Sequence, residues 1–117
     1  MSIRRFPEGR TGRSAAVSRA GLVYAVAVDP VEAEGLAAQT RNALAELDRV
    51  LALAGADKSG LLQATVYITD MAAKQEMDDV WCDWIGPEEN WPQRACVCVT
   101  LAGGHLVEIV VTAAKAG

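Results

Sequence analysis

Two segments of this chain read as helices with a single apolar stripe each, and this constrains the fold more than any other feature. Across 34–54, Leu36, Ala43, Leu44, Leu47, Val50, Leu51 and Ala54 recur at helical spacing, and Asn42, Glu46 and Arg49 fall opposite, toward water. Gly55 follows as a natural helix end. Across 71–85, behind Asp70 as cap, Ala73, Met77, Val80, Trp81 and Trp84 make a second stripe before Gly86 and Pro87. A helix with one apolar stripe needs one apolar partner surface. Both helices are therefore predicted to pack on one face of a mixed sheet, an α+β architecture.

The strand signals supply that sheet. A short N-terminal strand is followed by a loop rich in Gly, Arg and Ser around Gly9 to Ser14. A hairpin is predicted over 15–18 and 22–28 around Gly21, closed by Pro30. In 61–69, Leu62, Ala64, Val66 and Ile68 share one face, and Gln63, Thr65, Tyr67 and Thr69 the other. Two last strands, 94–101 and 106–114, flank Ala102-Gly103-Gly104-His105, a hairpin turn signal. The predicted order is β-β-β-α-β-α-β-β. The sheet face away from the helices carries Tyr67, Thr65, Thr100 and thiols. It is too apolar for plain solvent surface and too polar for core, and a subunit interface suits it.

A length of 117 residues fits a single domain spanning 1–117. With three Trp, two Tyr and one Phe, the core must be aliphatic, and so thin a core favours oligomerisation. The net charge of −4 argues against nucleic acid, because basic residues cluster only at Arg4, Arg5, Arg10 and Arg13. No apolar run approaches a membrane span and the first residues hold no signal-like apolar stretch, so the expectation is a cytoplasmic protein that does not bind membranes. Cys82, Cys96 and Cys98 are an odd number, read as free thiols in a reducing compartment. The C-x-C spacing of the last two has no second ligand pair, so neither metal nor cofactor is expected.

Arg94 is the leading candidate for chemistry. It follows Pro92 at the start of a strand, a position where a missing N–H is tolerated. Alternation places Arg94, Cys96, Cys98 and Thr100 on one face and Ala95, Val97, Val99 and Leu101 on the other. A guanidinium among small neighbours can reach a cleft, where its fork of donors suits a carboxylate. By residue type alone, an exposed or ion-paired Arg is the commoner outcome. His105 reads as an exposed turn histidine, Trp81 and Trp84 as core, and Cys98 as a small buried hydrophobe. Trp91 is read either as a cleft wall or as packing.

The segment Pro92-Gln93-Arg94-Ala95-Cys96-Val97, followed by Val107-Glu108-Ile109, resembles the Rid family (YjgF-like, reactive intermediate deaminases). Ala64-Thr65-Val66-Tyr67-Ile68-Thr69-Asp70 and Gln39-Thr40-Arg41-Asn42-Ala43-Leu44 are similar to further stretches of that family, so the resemblance covers nearly the whole chain. It implies a chorismate-mutase-like fold and a homotrimer with clefts between subunits. It also implies hydrolysis of small enamines or 2-imino acids to 2-oxo acids and ammonia. By position, Arg94 becomes the substrate anchor, Cys96 a ligand contact, and Glu108 the group that orients or activates water. Tyr24 and Trp91 join the substrate-binding set, with Asp78 where the family has Asn on its second helix.

Other positions depart from the family pattern. Tyr24-Ala25-Val26-Ala27-Val28-Asp29 stands where a Ser-Gly pair is common, so Val26 narrows the cleft. Arg13 falls near the family's loop Tyr, and Asp78 would repel an anionic substrate unless Arg13 pairs with it. A non-catalytic trimer that binds small carboxylates is the alternative. In a simple closing hairpin, Glu108 lies on the face away from Arg94. The two meet either through a bulge at Gly103-Gly104 or across a subunit boundary.

Overall fold

The computed structural model describes residues 1–116. Its elements are β1 (Arg4–Phe6), β2 (Ala16–Arg19), β3 (Leu22–Val28), α1 (Leu36–Leu53), β4 (Leu61–Ile68), α2 (Lys74–Ile85), β5 (Gln93–Cys98) and β6 (Val107–Ala114), in the order the sequence predicts. Six strands form one sheet in the order β1-β2-β3-β6-β4-β5.

The stripe of α1 is buried as its spacing requires, with Leu44, Leu47, Val50 and Leu51 at 1% exposure or less. Gly35 leads into the helix at φ 87° and Gly55 leaves it at φ 84°, both in the left-handed region that glycine enters freely. Helix α2 starts at Lys74 rather than 71, because Asp70 instead caps a single 3₁₀ turn, its carboxylate accepting from the Ala72 N–H at 3.0 Å. Met77, Trp81 and Ile85 are the buried face of α2. Both helices lie over the face formed by Val23, Ala25 and Ala27 of β3, Ile109 and Val111 of β6, and Ala64, Val66 and Ile68 of β4.

The expected hairpin between the last two strands does not form. β5 runs parallel to β4, from Gln63 opposite Gln93 to Ile68 opposite Cys98. β6 returns to the middle of the sheet, antiparallel to both β3 and β4. A helix between two strands is the usual crossover that brings the chain back parallel, and this outweighs the turn signal at Gly103-Gly104. β6 also suits a central place, with Ile109, Val110 and Val111 offering apolar side chains to both faces.

Three smaller expectations change. Leu62 points outward, because the β4–β6 register slips between Leu61 and Gln63 and this bulge turns Leu61 into the core. Cys96 and Cys98 stand beside Val66 and Ile68, so these thiols lie on the helix side and not on the open face. Asn42 does not face water: its Nδ2 donates to Asp29 at 3.1 Å.

Asp29 centres a polar network at the end of β3. It is fully buried and accepts from the Val31 and Ala33 N–H groups at 2.8 Å each. Gln39 in turn donates to the Ala33 and Gly104 carbonyls at 2.9 Å and accepts from the Leu106 N–H at 2.8 Å. The β3–α1 connection is thereby tied to the loop that leads into β6. His105, expected in open solvent, is half-buried there, and its Nδ1 has no partner among the described residues.

Gly60 sits where β4 begins against the end of β6, and a Cβ on it would lie 2.5 Å from the Ala114 carbonyl oxygen. Gly60→Ala is expected to push these strands apart and cost about 1–3 kcal/mol of stability, read as a lower urea midpoint.

Candidate functional site

β5 is an edge strand, and Arg94 is its second residue, opposite Ala64 and therefore on the helix side. The side chain reaches α2, which crosses that end of the sheet. Its Nη2 donates to Asp78 Oδ1 at 2.7 Å and its Nη1 lies 3.7 Å from the Met77 sulfur. The guanidinium carbon stands 5.3 Å from the centre of the Trp81 ring, at cation–π range. Asp78 Oδ2 accepts from Lys74 Nζ at 2.6 Å, one helical turn earlier.

Burial alone would raise the Asp78 carboxyl. Hydrogen bonds from Lys74 and Arg94, together with their charges, outweigh that and hold it below the ordinary carboxylate range. Asp78 is therefore ionised at neutral pH, and the Arg94–Asp78 pair is four-fifths shielded from water at both ends.

Arg94 and Asp78 line a groove of about 500 Å³ whose other walls include Trp81, Ile85, Trp91 and Pro92. Trp91 is a cleft wall held in place: its Nε1 donates to the Gly86 carbonyl at 3.0 Å while 61% of the residue stays exposed. A fixed cation, a fixed anion and aromatic walls suit a small ligand with a charged head and a hydrocarbon tail.

The other candidates lie elsewhere in the chain. Cys96 follows Arg94 along the same face and packs against the core. Burial pushes its thiol up, against the opposing pull of Lys74 and Arg94, so it is not a thiolate at neutral pH. Tyr24 is on the open face, opposite Val17 and Thr112, with Val26 beside Val110 on the same face. Glu108 is also on the open face, between Val28 and Tyr67. Arg94 and Glu108 thus occupy opposite faces within one chain. Arg13 donates to the Thr11 carbonyl at 3.3 Å, and it is Arg94 and Lys74 that pair with Asp78. Lys74 and Trp81 were not expected in the site. The four-residue spacing of Lys74 and Asp78 on a helix was the available signal for the first, whereas the helical stripe hid Trp81 as core.

Among the described residues, no group of three or more His, Cys, Asp or Glu side chains comes together to hold a metal ion, and no helix is long and apolar enough to cross a membrane.

A family model described as Endoribonuclease L-PSP matches residues 7–115. A RutC family protein of Haemophilus ducreyi is 41% identical over 96 residues, which span 80% of this chain and 81% of that protein. The RutC family protein YoaB of Escherichia coli is 35% identical over 77 residues, covering 65% of this chain and 67% of its own. The crystal structure of a YjgF family member from Neisseria meningitidis superposes with a TM-score of 0.91 at 38% identity, covering 100% of this chain and 98% of that one. The architecture shared with it is the expected one: α+β and chorismate-mutase-like, with a mixed six-stranded sheet and two helices on one face.

Proposed function

The chain belongs to the Endoribonuclease L-PSP family, the family of the YjgF and RutC proteins, and from that premise we propose that it hydrolyses small 2-imino acids to 2-oxo acids and ammonia. The observation that carries the proposal is the Arg94 guanidinium, fixed over Trp81 in a groove with aromatic and aliphatic walls. One Nη donates to Asp78, and further N–H groups of the fork remain for a ligand carboxylate.

The protonated imine already carries an electrophilic carbon. Water adds to that carbon, a C–O bond forms, and the water gives up a proton. The nitrogen takes that proton, the C–N bond breaks as the lone pair of the hydroxyl oxygen forms the carbonyl, and the hydroxyl's remaining proton goes to the departing ammonia, leaving a 2-oxo acid and ammonium. A site for this reaction needs to hold the acid group, place one water and move one proton.

Glu108 is the candidate for the proton. The open face that carries it also exposes Tyr24, Val97 and Val110, a surface whose burial by another copy would be favourable. In the proposed assembly, a homotrimer, Glu108 of one copy meets Arg94 of the next, and Tyr24 and Cys96 line the same cleft. The placement of Arg94 and Glu108 on opposite faces of one chain supports a shared site over one built within a subunit.

The test is to generate 2-iminobutanoate in situ and follow release of 2-oxobutanoate. The expected result is acceleration by catalytic amounts of protein, and none at all overturns the reading. The Arg94–Asp78 bond favours a second reading, a non-catalytic binder of small carboxylates, since a paired Arg is a weaker anchor. Thermal stabilisation by 2-oxo or aromatic acids without turnover would select it. Endoribonuclease action, the wording of the family description, finds little support in a chain of net charge −4 whose one histidine is half-buried beside a turn.

A further inference from the structure

We propose that Asp78 is a specificity-determining residue that takes the cationic nitrogen of the ligand, so that the groove selects molecules with a carboxylate and a positive nitrogen on the same carbon framework; this rests on the reading of Arg94 as a carboxylate anchor. Three observations carry it. Asp78 and Arg94 both line the groove and sit side by side, 2.7 Å apart, so the groove offers a ligand head one positive and one negative partner at adjacent points. The carboxylate and nitrogen of an iminium or ammonium acid are likewise separated by a single carbon.

The two oxygens of Asp78 are also differently engaged. Oδ2 is taken by Lys74, whose side chain is 39% exposed, while Oδ1, among the described residues, meets only Arg94 and keeps acceptor capacity. The third observation is electrostatic. A ligand carboxylate seated on Arg94 is drawn close to the Asp78 carboxylate, and two anions sharing one guanidinium repel each other. A ligand that brings its own positive nitrogen removes this repulsion and gains a charge-assisted hydrogen bond to Oδ1. Trp81, Ile85, Trp91 and Pro92 then receive its hydrocarbon part. A bare carboxylate satisfies Arg94 and leaves Asp78 opposed, so Asp78 works as positive selection for one ligand class and as a penalty on the other.

The experiment compares binding of 2-aminobutanoate and butanoate, two non-reacting probes that differ in the charged nitrogen, by calorimetry on the wild-type protein and on Asp78→Asn. Wild type is expected to hold 2-aminobutanoate about tenfold more tightly. Asp78→Asn is expected to move the two probes in opposite directions, weakening 2-aminobutanoate and strengthening butanoate. Equal affinities on wild type, or a variant that binds both more tightly, overturn the proposal and mark Asp78 as a simple competitor for Arg94. The wild-type comparison stands even if the variant does not fold. Neither probe is turned over, so 2-iminobutanoate hydrolysis with no preference between them defeats this inference alone. Preference for 2-aminobutanoate in a protein that does not hydrolyse 2-iminobutanoate defeats the deaminase reading alone.

Discussion

Arg94→Ala is expected to cut 2-iminobutanoate hydrolysis by at least an order of magnitude while leaving the fold intact. Truncating one partner of a shielded, charge-assisted contact costs about 2–5 kcal/mol, which is roughly 30- to 5,000-fold in kcat/KM. Arg94→Lys keeps the charge and loses the planar fork, so it is expected to recover only part of the loss. Glu108→Gln removes the proposed proton acceptor and is expected to be inactive. The stronger test combines the two. If each site takes Arg94 from one copy and Glu108 from the next, mixing Arg94→Ala with Glu108→Gln subunits by co-expression creates intact sites wherever the right neighbours meet. Random assembly in a cyclic trimer makes that about a quarter of all sites, so activity should return to about a quarter of wild type. A site completed within one chain predicts no recovery, because every chain in the mixture carries a defect. Full activity of Glu108→Gln alone would remove that residue from the chemistry.

The second large effect is on stability. Asp29→Ala strips the acceptor from two backbone N–H groups and from the Asn42 amide in a place without water access. Leaving those donors unmatched is expected to cost about 2–4 kcal/mol, a large part of the stability of a domain of this size. The effect should depend on pH in a definite direction. Burial by itself would raise the Asp29 carboxyl, but the donors from Ala33, Val31 and Asn42 bring it below its ordinary value of 3.8. A carboxyl with a depressed folded value stabilises the fold fully above the unfolded value and loses that contribution as pH falls through the folded one. Urea midpoints of wild type and variant should therefore differ by a constant amount from about pH 5 to 8 and converge below about pH 4. A gap that widens in acid would mean that Asp29 is protonated in the folded protein.

Much of this architecture was legible because its signals are local. The stripe from Leu36 to Ala54 needs no knowledge of the rest of the chain, and neither does the alternation of β4 after Gly60. The pairing of the last strands was misread because Gly103-Gly104 carries the same turn chemistry in a hairpin as in a loop that leads to a distant strand. The better evidence was the strand-helix-strand run from Leu61 to Cys98, whose length demands a crossover. The bulge at Leu62 escaped because a one-residue slip leaves no mark in composition. Asn42 was read as solvent-facing since no periodicity shows that a buried carboxylate lies thirteen residues before it. In the site, Arg94 stood out through its motif. The ion pair with Asp78 depends on how α2 crosses β5, a tertiary fact that spacing does not encode.

The position of β6 has a consequence for how this protein is made. In the described sheet β3 and β4 are joined only through β6, the strand translated last among the six. Until Val107–Ala114 has left the ribosome, the nascent chain holds two half-sheets with open inner edges and two helices without a complete surface to cover. Assembly must wait for that segment, and every contact it makes spans a long stretch of chain, the regime in which folding is slow. A ribosome stalled before Val107 would therefore display a chain whose two helices and other five strands are made and whose core is not complete.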